Sequence, residues 1–191
     1  MTDTQLVQKA KKGDKTALAE LISKYSERIY NLSLRILRNK EDAEDILQET
    51  FLTVIKKLDT FDGRSSFFTW VYRIATNASL MKLRKKKLNF VELPDNPDFV
   101  NRNVEEMFVD WSQNPSMDIQ NEEIRNDLQK AIDQLSEIYR SVFILRDIED
   151  LSIKETSKIL GITEENVKIR LRRARLFLRE EISHHFEESV A

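Results

Sequence analysis

Apolar residues recur every three or four positions along most of this chain, with polar and charged residues between them, and that period predicts helices. Asp14 stands where it can cap a helix running to about Leu37. Asn39 can cap a second running through Leu58, with Glu41 and Asp42 in the first turn, where the helix dipole favours acids. Phe61-Asp-Gly-Arg-Ser-Ser66 breaks the period and reads as a loop. Ser66 can then cap a third helix, whose stripe Phe67, Val71, Ile74, Ala78 and Met81 leads to a basic end at Lys87. From Leu88 to Gln120 the period is not sustained, and all three prolines, Pro94, Pro97 and Pro115, fall there, so this stretch reads as a linker. Helices resume at Ile124 to Leu135 and Ser136 to Ile148. Ser152-Ile-Lys-Glu155 has the form of a capping box opening a short helix through Leu160. Gly161-Ile-Thr163 makes a turn, and Thr163 can cap a long last helix through about Ile182 with Val167, Leu171, Ala174 and Leu178 as its apolar stripe. The expected fold is all-α: two small helical domains, 1–88 and 122–191, joined by an acidic flexible linker, 89–121.

Composition narrows the function. Three glycines and three prolines in 191 residues suit helices rather than sheets. There is no cysteine, and the two histidines, His184 and His185, are adjacent rather than spaced as ligands, so neither a metal nor another cofactor is expected. No nucleophile–base arrangement or glycine-rich phosphate loop is present, which argues against an enzyme. No apolar run is long enough to span a bilayer, and the first residues lack the basic-then-apolar order of a signal peptide. A cytoplasmic protein without membrane insertion is expected.

The net charge of −2 is uninformative, but its distribution is not. Gly63 to Val91 carries seven basic residues and no acid, Asn166 to Arg179 carries six and no acid, and Leu88 to Gln120 carries seven acids against Arg102 alone. Segments with opposite fields imply different partners. A short helix, a glycine turn and a longer basic helix form the pattern of a helix-turn-helix. Turning each residue by about 100° puts Lys168, Ile169, Arg172 and Arg173 opposite the apolar stripe of the last helix, with the two arginines nearer the centre of that face and Lys168 toward its edge. Such a face suits the major groove, because guanidinium bonds guanine edges in pairs and every cation favours phosphate; the plainer alternative is a solvated basic face.

Ser152-Ile-Lys-Glu-Thr-Ser-Lys-Ile-Leu-Gly-Ile-Thr-Glu-Glu-Asn-Val-Lys-Ile-Arg-Leu-Arg-Arg-Ala-Arg175 resembles the region 4 helix-turn-helix of extracytoplasmic-function sigma factors. Asp42-Ala-Glu-Asp-Ile-Leu-Gln-Glu-Thr-Phe-Leu52 is similar to region 2.2 of that family, and Phe61 to Asn77 to its regions 2.3 and 2.4. The resemblance implies core RNA polymerase and promoter DNA as partners, and an anti-sigma factor that would cover both domains. It implies that Asp45, Gln48 and Glu49, which share a helical face, dock on the polymerase; without it a solvated acidic face is the simpler reading. It implies that the loop Asp59 to Ser66, with Asp62, Arg64 and Ser65, holds a base flipped from the minus-10 element. Trp70, Arg73 and Asn77 would contact melted DNA, and Lys82 with Arg84 would bind phosphate, as would the lysines up to Lys87. It assigns the minus-35 element to Lys168, Ile169, Arg172, Arg173 and Arg175. Phe67, Val71 and Ile74 are expected in the core.

Two positions depart from the family pattern: Met81 and Ser136, where an aspartate and a proline are common. Serine is itself a good helix cap; Met81 puts a local polar contact in doubt. The linker could span on the order of 100 Å when extended, enough for one chain to reach two promoter elements. The competing function is a helix-turn-helix regulator that binds an operator without polymerase.

Overall fold

A capping box opens the chain: the Gln5 amide donates to Thr2 Oγ1 (3.4 Å) and the Thr2 amide to Gln5 Oε1 (3.1 Å), launching α1, Asp3–Lys11. Apolar spacing does not predict this helix, because only Leu6 and Val7 enter the core. The Thr-x-x-Gln signature was the available signal. The structure is a computed structural model and describes residues 1–85 and 122–190, with side chains of 128–183 in the second stretch. The expected linker 89–121 and the lysines at 86 and 87 lie outside the described residues.

Gly13 turns the chain with φ of 90°, and Asp14 Oδ1 accepts the Thr16 and Ala17 amides at 2.9 and 3.1 Å to start α2, Lys15–Leu37. Asn39 caps α3, Lys40–Lys57, through a 2.8 Å bond from the Asp42 amide. A 3-10 turn, Leu58–Thr60, follows, and Ser66 Oγ accepts the Thr69 amide at 3.1 Å at the head of α4, Phe67–Lys85. All three helix starts agree with the sequence.

The stripe expected on α4 is rotated. Phe67 and Val71 are buried, but Ile74 and Ala78 are only half-buried and Met81 is 57% exposed, while Tyr72, Ala75, Thr76, Ser79 and Leu83 fill the core instead. The reason is that α4 packs on both α2 and α3, so its buried arc faces two neighbours, and the small residues Ala75, Thr76 and Ser79 let them approach.

Among the described residues every further element is also helical: α5, Glu122–Gln134; α6, Glu137–Phe143; a π turn, Ile144–Ile148; α7, Ile153–Leu160; and α8, Glu164–Val190. The helix expected over Ser136 to Ile148 is thus two pieces, and Ser136 occupies the N-cap without a side-chain bond. Thr163 does cap α8, accepting the Asn166 amide at 3.1 Å. By packing, residues 1–85 with Lys154–Ile162 make one compact unit and 122–153 with 163–190 another. In the second unit Ala131, Ile132, Leu135, Tyr139, Ala174, Phe177 and Leu178 form one core cluster. Arg140, 2% exposed, donates from Nε to the Ile132 carbonyl (3.1 Å) and from Nη2 to that of Asp133, two of the carbonyls in the last turn of α5.

Candidate polymerase and nucleic-acid surfaces

Helix α3 turns Ala43, Ile46, Thr50, Phe51 and Val54 into the core, and the same period sends Asp45, Gln48 and Glu49 to solvent. The three site residues expected on this helix therefore share one exposed face. Leu52, 55% exposed, and Ile55, 48% exposed, continue it by one and two turns, an apolar extension that the sequence reading missed. Their mismatch with the buried period was the available signal. Lys82, expected on phosphate, reaches across from α4: its ammonium donates to Asp45 Oδ2 at 2.8 Å and pairs with Asp42 Oδ1 at 3.0 Å. The bond to Asp45, then that to Asp42, holds its pKa above the usual lysine value despite partial desolvation.

The loop before α4 is built from short-range contacts. Asp62 Oδ1 accepts the Arg64 amide at 3.0 Å and Oδ2 pairs with Arg64 Nε at 2.7 Å, around Gly63 with φ of 75°. Asp62 and Arg64 are exposed and Ser65 half-buried. Phe61 lies against Trp70, ring centroids 5.0 Å apart, and edge-on to Phe67 at 5.9 Å, so the half-buried Trp70 is anchored on one side. Lys11, at the end of α1, donates to the carbonyls of Asp59 (3.2 Å) and Phe61 (2.5 Å). That brace across 48 and 50 residues was invisible in the sequence. Arg73 and Asn77, one turn apart, are exposed on α4, as is Arg84 farther along.

On α8 the stripe Val167, Leu171, Ala174 and Leu178 is buried as expected, joined by Phe177. The exposure of the basic face differs from the expected order. Lys168 is exposed, whereas Ile169, Arg172, Arg173 and Arg175 are half-buried. Packing explains part of this: Arg173 Nη1 lies 3.4 Å from the Tyr139 hydroxyl, and Arg175 pairs in a fork with Asp147, Nε to Oδ2 at 2.8 Å and Nη2 to Oδ1 at 2.6 Å. Among the described residues no cluster of metal-ligating side chains occurs, and no helix is long and apolar enough to cross a membrane.

The family model for Sigma-70 region 2 matches residues 21–88, and that for Sigma-70 region 4 matches residues 125–178. The chain is 35% identical over 176 residues to the ECF RNA polymerase sigma factor SigW of Bacillus subtilis, covering 92% of this chain and 94% of that protein. It is 32% identical over 182 residues to the ECF RNA polymerase sigma factor SigE of Mycolicibacterium smegmatis, covering 93% of this chain and 67% of that protein. In fold it is similar to CnrH, solved in complex with the cytosolic domain of CnrY (TM-score 0.66, 20% identity, 95% of this chain and 97% of the other). It is also similar to the sigma factor RpoE of Bartonella quintana, solved with the anti-sigma factor NepR (TM-score 0.60, 21% identity, 86% and 96%).

Proposed function

The chain belongs to the extracytoplasmic-function sigma factor family, and we propose that the surfaces on α3, on the loop before α4 with α4 itself, and on α8 divide its work. As a sigma factor it binds core RNA polymerase and directs promoter recognition, duplex opening and initiation. The observation that carries this is the presence of both sigma regions, in order, on one chain whose relatives match it nearly end to end.

Asp45, Gln48 and Glu49, with Leu52 and Ile55 beside them, dock on the polymerase: exposed acids supply charge complementarity and the apolar pair supplies burial. Asp62, Arg64 and Ser65 hold a minus-10 base, and Trp70, Arg73 and Asn77 contact the opened strand, with Arg84 on phosphate; a loop already braced loses little entropy on capturing a flipped base. Lys168, Ile169 and Arg172 approach the minus-35 element, with Arg173 and Arg175 reaching phosphate or holding the helix in place. Residues 1–88 act as region 2, 122–191 as region 4, and 89–121 as the connection between them. The protein works in the cytoplasm by binding rather than by catalysing bond changes of its own, and an anti-sigma factor holds it inactive.

Run-off transcription with core polymerase, with and without this protein, on a genomic promoter library tests the reading. Specific transcripts that need both components are expected. Tight operator binding by the protein alone, with no transcripts, would instead make it a stand-alone regulator.

A further inference from the structure

We propose that Lys82 is a positioning residue for polymerase docking, which fixes the Asp45 carboxylate for its partner, rather than a phosphate contact. The inference rests on the reading of the α3 face as the polymerase-docking surface. Asp42 and Asp45 are three residues apart on α3, so their carboxylates are neighbours of like charge. The Asp42 side chain is 12% exposed and that of Asp45 is 68% exposed, and the Lys82 ammonium, on a side chain 26% exposed, bonds to both. It therefore neutralises an inner carboxylate while tethering an outer one.

Three consequences follow from that geometry. The repulsion that would swing Asp45 away from Asp42 is cancelled by a cation at 2.8 and 3.0 Å. Asp45 Oδ2 is taken up by Lys82, so Oδ1 is the oxygen left to accept from a donor on the polymerase, in a rotamer already selected. An ammonium engaged by two carboxylates keeps one N–H for a phosphate, but its charge is already compensated, which cancels much of the electrostatic gain that such a contact brings. Because Lys82 belongs to α4, it also joins the docking helix to the helix that carries Trp70, Arg73 and Asn77. Nothing in the apolar period or the capping pattern signals this bridge. The neighbouring Met81, where the resemblance leads one to expect an acid, is exposed.

The test is a double-mutant cycle on affinity for core polymerase, using the full chain with Lys82→Met, Lys82→Gln, Lys82→Arg and Asp45→Asn, and a thermal melt of every variant. Lys82→Met is expected to weaken binding roughly three- to fivefold, the range of an exposed, well-placed ion pair. Lys82→Arg should restore most of it, and in the Asp45→Asn background Lys82→Met should cost nothing further. A purely structural lysine would give the same loss in both backgrounds and a matching loss of thermal stability, and that result overturns the proposal. So does Lys82→Met with unchanged polymerase affinity but a promoter-binding salt slope lowered by about one unit, the signature of a phosphate contact. Lys82→Gln keeps a donor without charge; it serves the same cycle if Lys82→Met folds poorly. If Asp45→Asn and Glu49→Gln both leave polymerase affinity unchanged, the docking reading itself fails and this inference falls with it, an outcome distinct from failure at Lys82 alone.

Discussion

Arg175 and Asp147 form a two-pronged ion pair, Nε to Oδ2 at 2.8 Å and Nη2 to Oδ1 at 2.6 Å, that ties α8 to the π turn after α6. The side chains are 28% and 16% exposed, so removing either deprives a partly desolvated charge of its forked partner. We expect Arg175→Ala and Asp147→Ala each to cost about 1–2 kcal/mol of stability, discounted from a fully buried pair for solvent screening, and the double variant to cost less than their sum. Denaturant melts of the four proteins measure this. If Arg175 positions the helix, Asp147→Ala should weaken minus-35 recognition as much as Arg175→Ala does; loss with Arg175→Ala alone would make the arginine a direct DNA contact.

The exposed and half-buried cations of α8 should separate by role. Lys168 stands clear of the core, so Lys168→Ala should weaken binding to all promoter sequences alike and lower the salt slope by about one unit. Arg172→Ala should change preference among mutated minus-35 elements by about 1–3 kcal/mol. Run-off titrations at several salt concentrations distinguish them. Unchanged preference and strength in both variants would remove this face from promoter reading.

Reversing the charge of the docking face, with Asp45→Lys and Glu49→Lys together, should weaken co-purification with core polymerase by an order of magnitude or more, with helical circular dichroism nearly unchanged because both side chains are exposed. Replacing Leu52 and Ile55 by serine should act in the same direction without touching charge. Full retention of polymerase by both variants would return α3 to a solvated face.

Lys11 braces the carbonyls of Asp59 and Phe61, and Phe61 in turn supports Trp70. Lys11→Met is expected to reduce initiation on duplex promoters about fivefold, equivalent to about 1 kcal/mol for a half-buried charged donor, and to recover on a template opened in advance. An equal loss on both templates would contradict a role in capturing the opened strand.

The Tyr25 hydroxyl bonds Asp3 Oδ2, and Lys24 Nζ lies 2.5 Å from Oδ1, which fastens α1 to α2. Burial, then the Asp3 carboxylate, raises the Tyr25 phenol above its ordinary 10.0. A raised folded value means stability that is complete below the unfolded value and lost as pH rises through the folded one, so the cost of this contact belongs to alkaline pH. For Asp3, desolvation works upward but is outweighed by the bonds from Lys24 and Tyr25, leaving the carboxyl lowered; its contribution is present above the ordinary 3.8 and lost as pH falls through the folded value. Difference absorbance titration of the native chain against Tyr25→Phe should show no Tyr25 ionisation near pH 10 while the fold persists. Reversible ionisation of all four tyrosines there would refute the contact.

The sequence by itself determined the helical class and most helix starts, because caps such as Asp14, Asn39, Ser66 and Thr163 act on amides two or three residues away and are written locally. It also determined the family, and the sharing of one face by Asp45, Gln48 and Glu49, because helical period alone puts them there. Tertiary structure decided what depends on partners distant in the chain. The buried arc of α4 follows from its contact with two helices at once, which moves Met81 out and Tyr72 in. Lys82 meets Asp45 across 37 residues, Lys11 meets the loop across 48 and 50, and Arg175 meets Asp147 across 28. A cation's sequence position says only that it is charged; whether it faces DNA or a carboxylate of its own chain depends on which surface folding brings within about 3 Å of it.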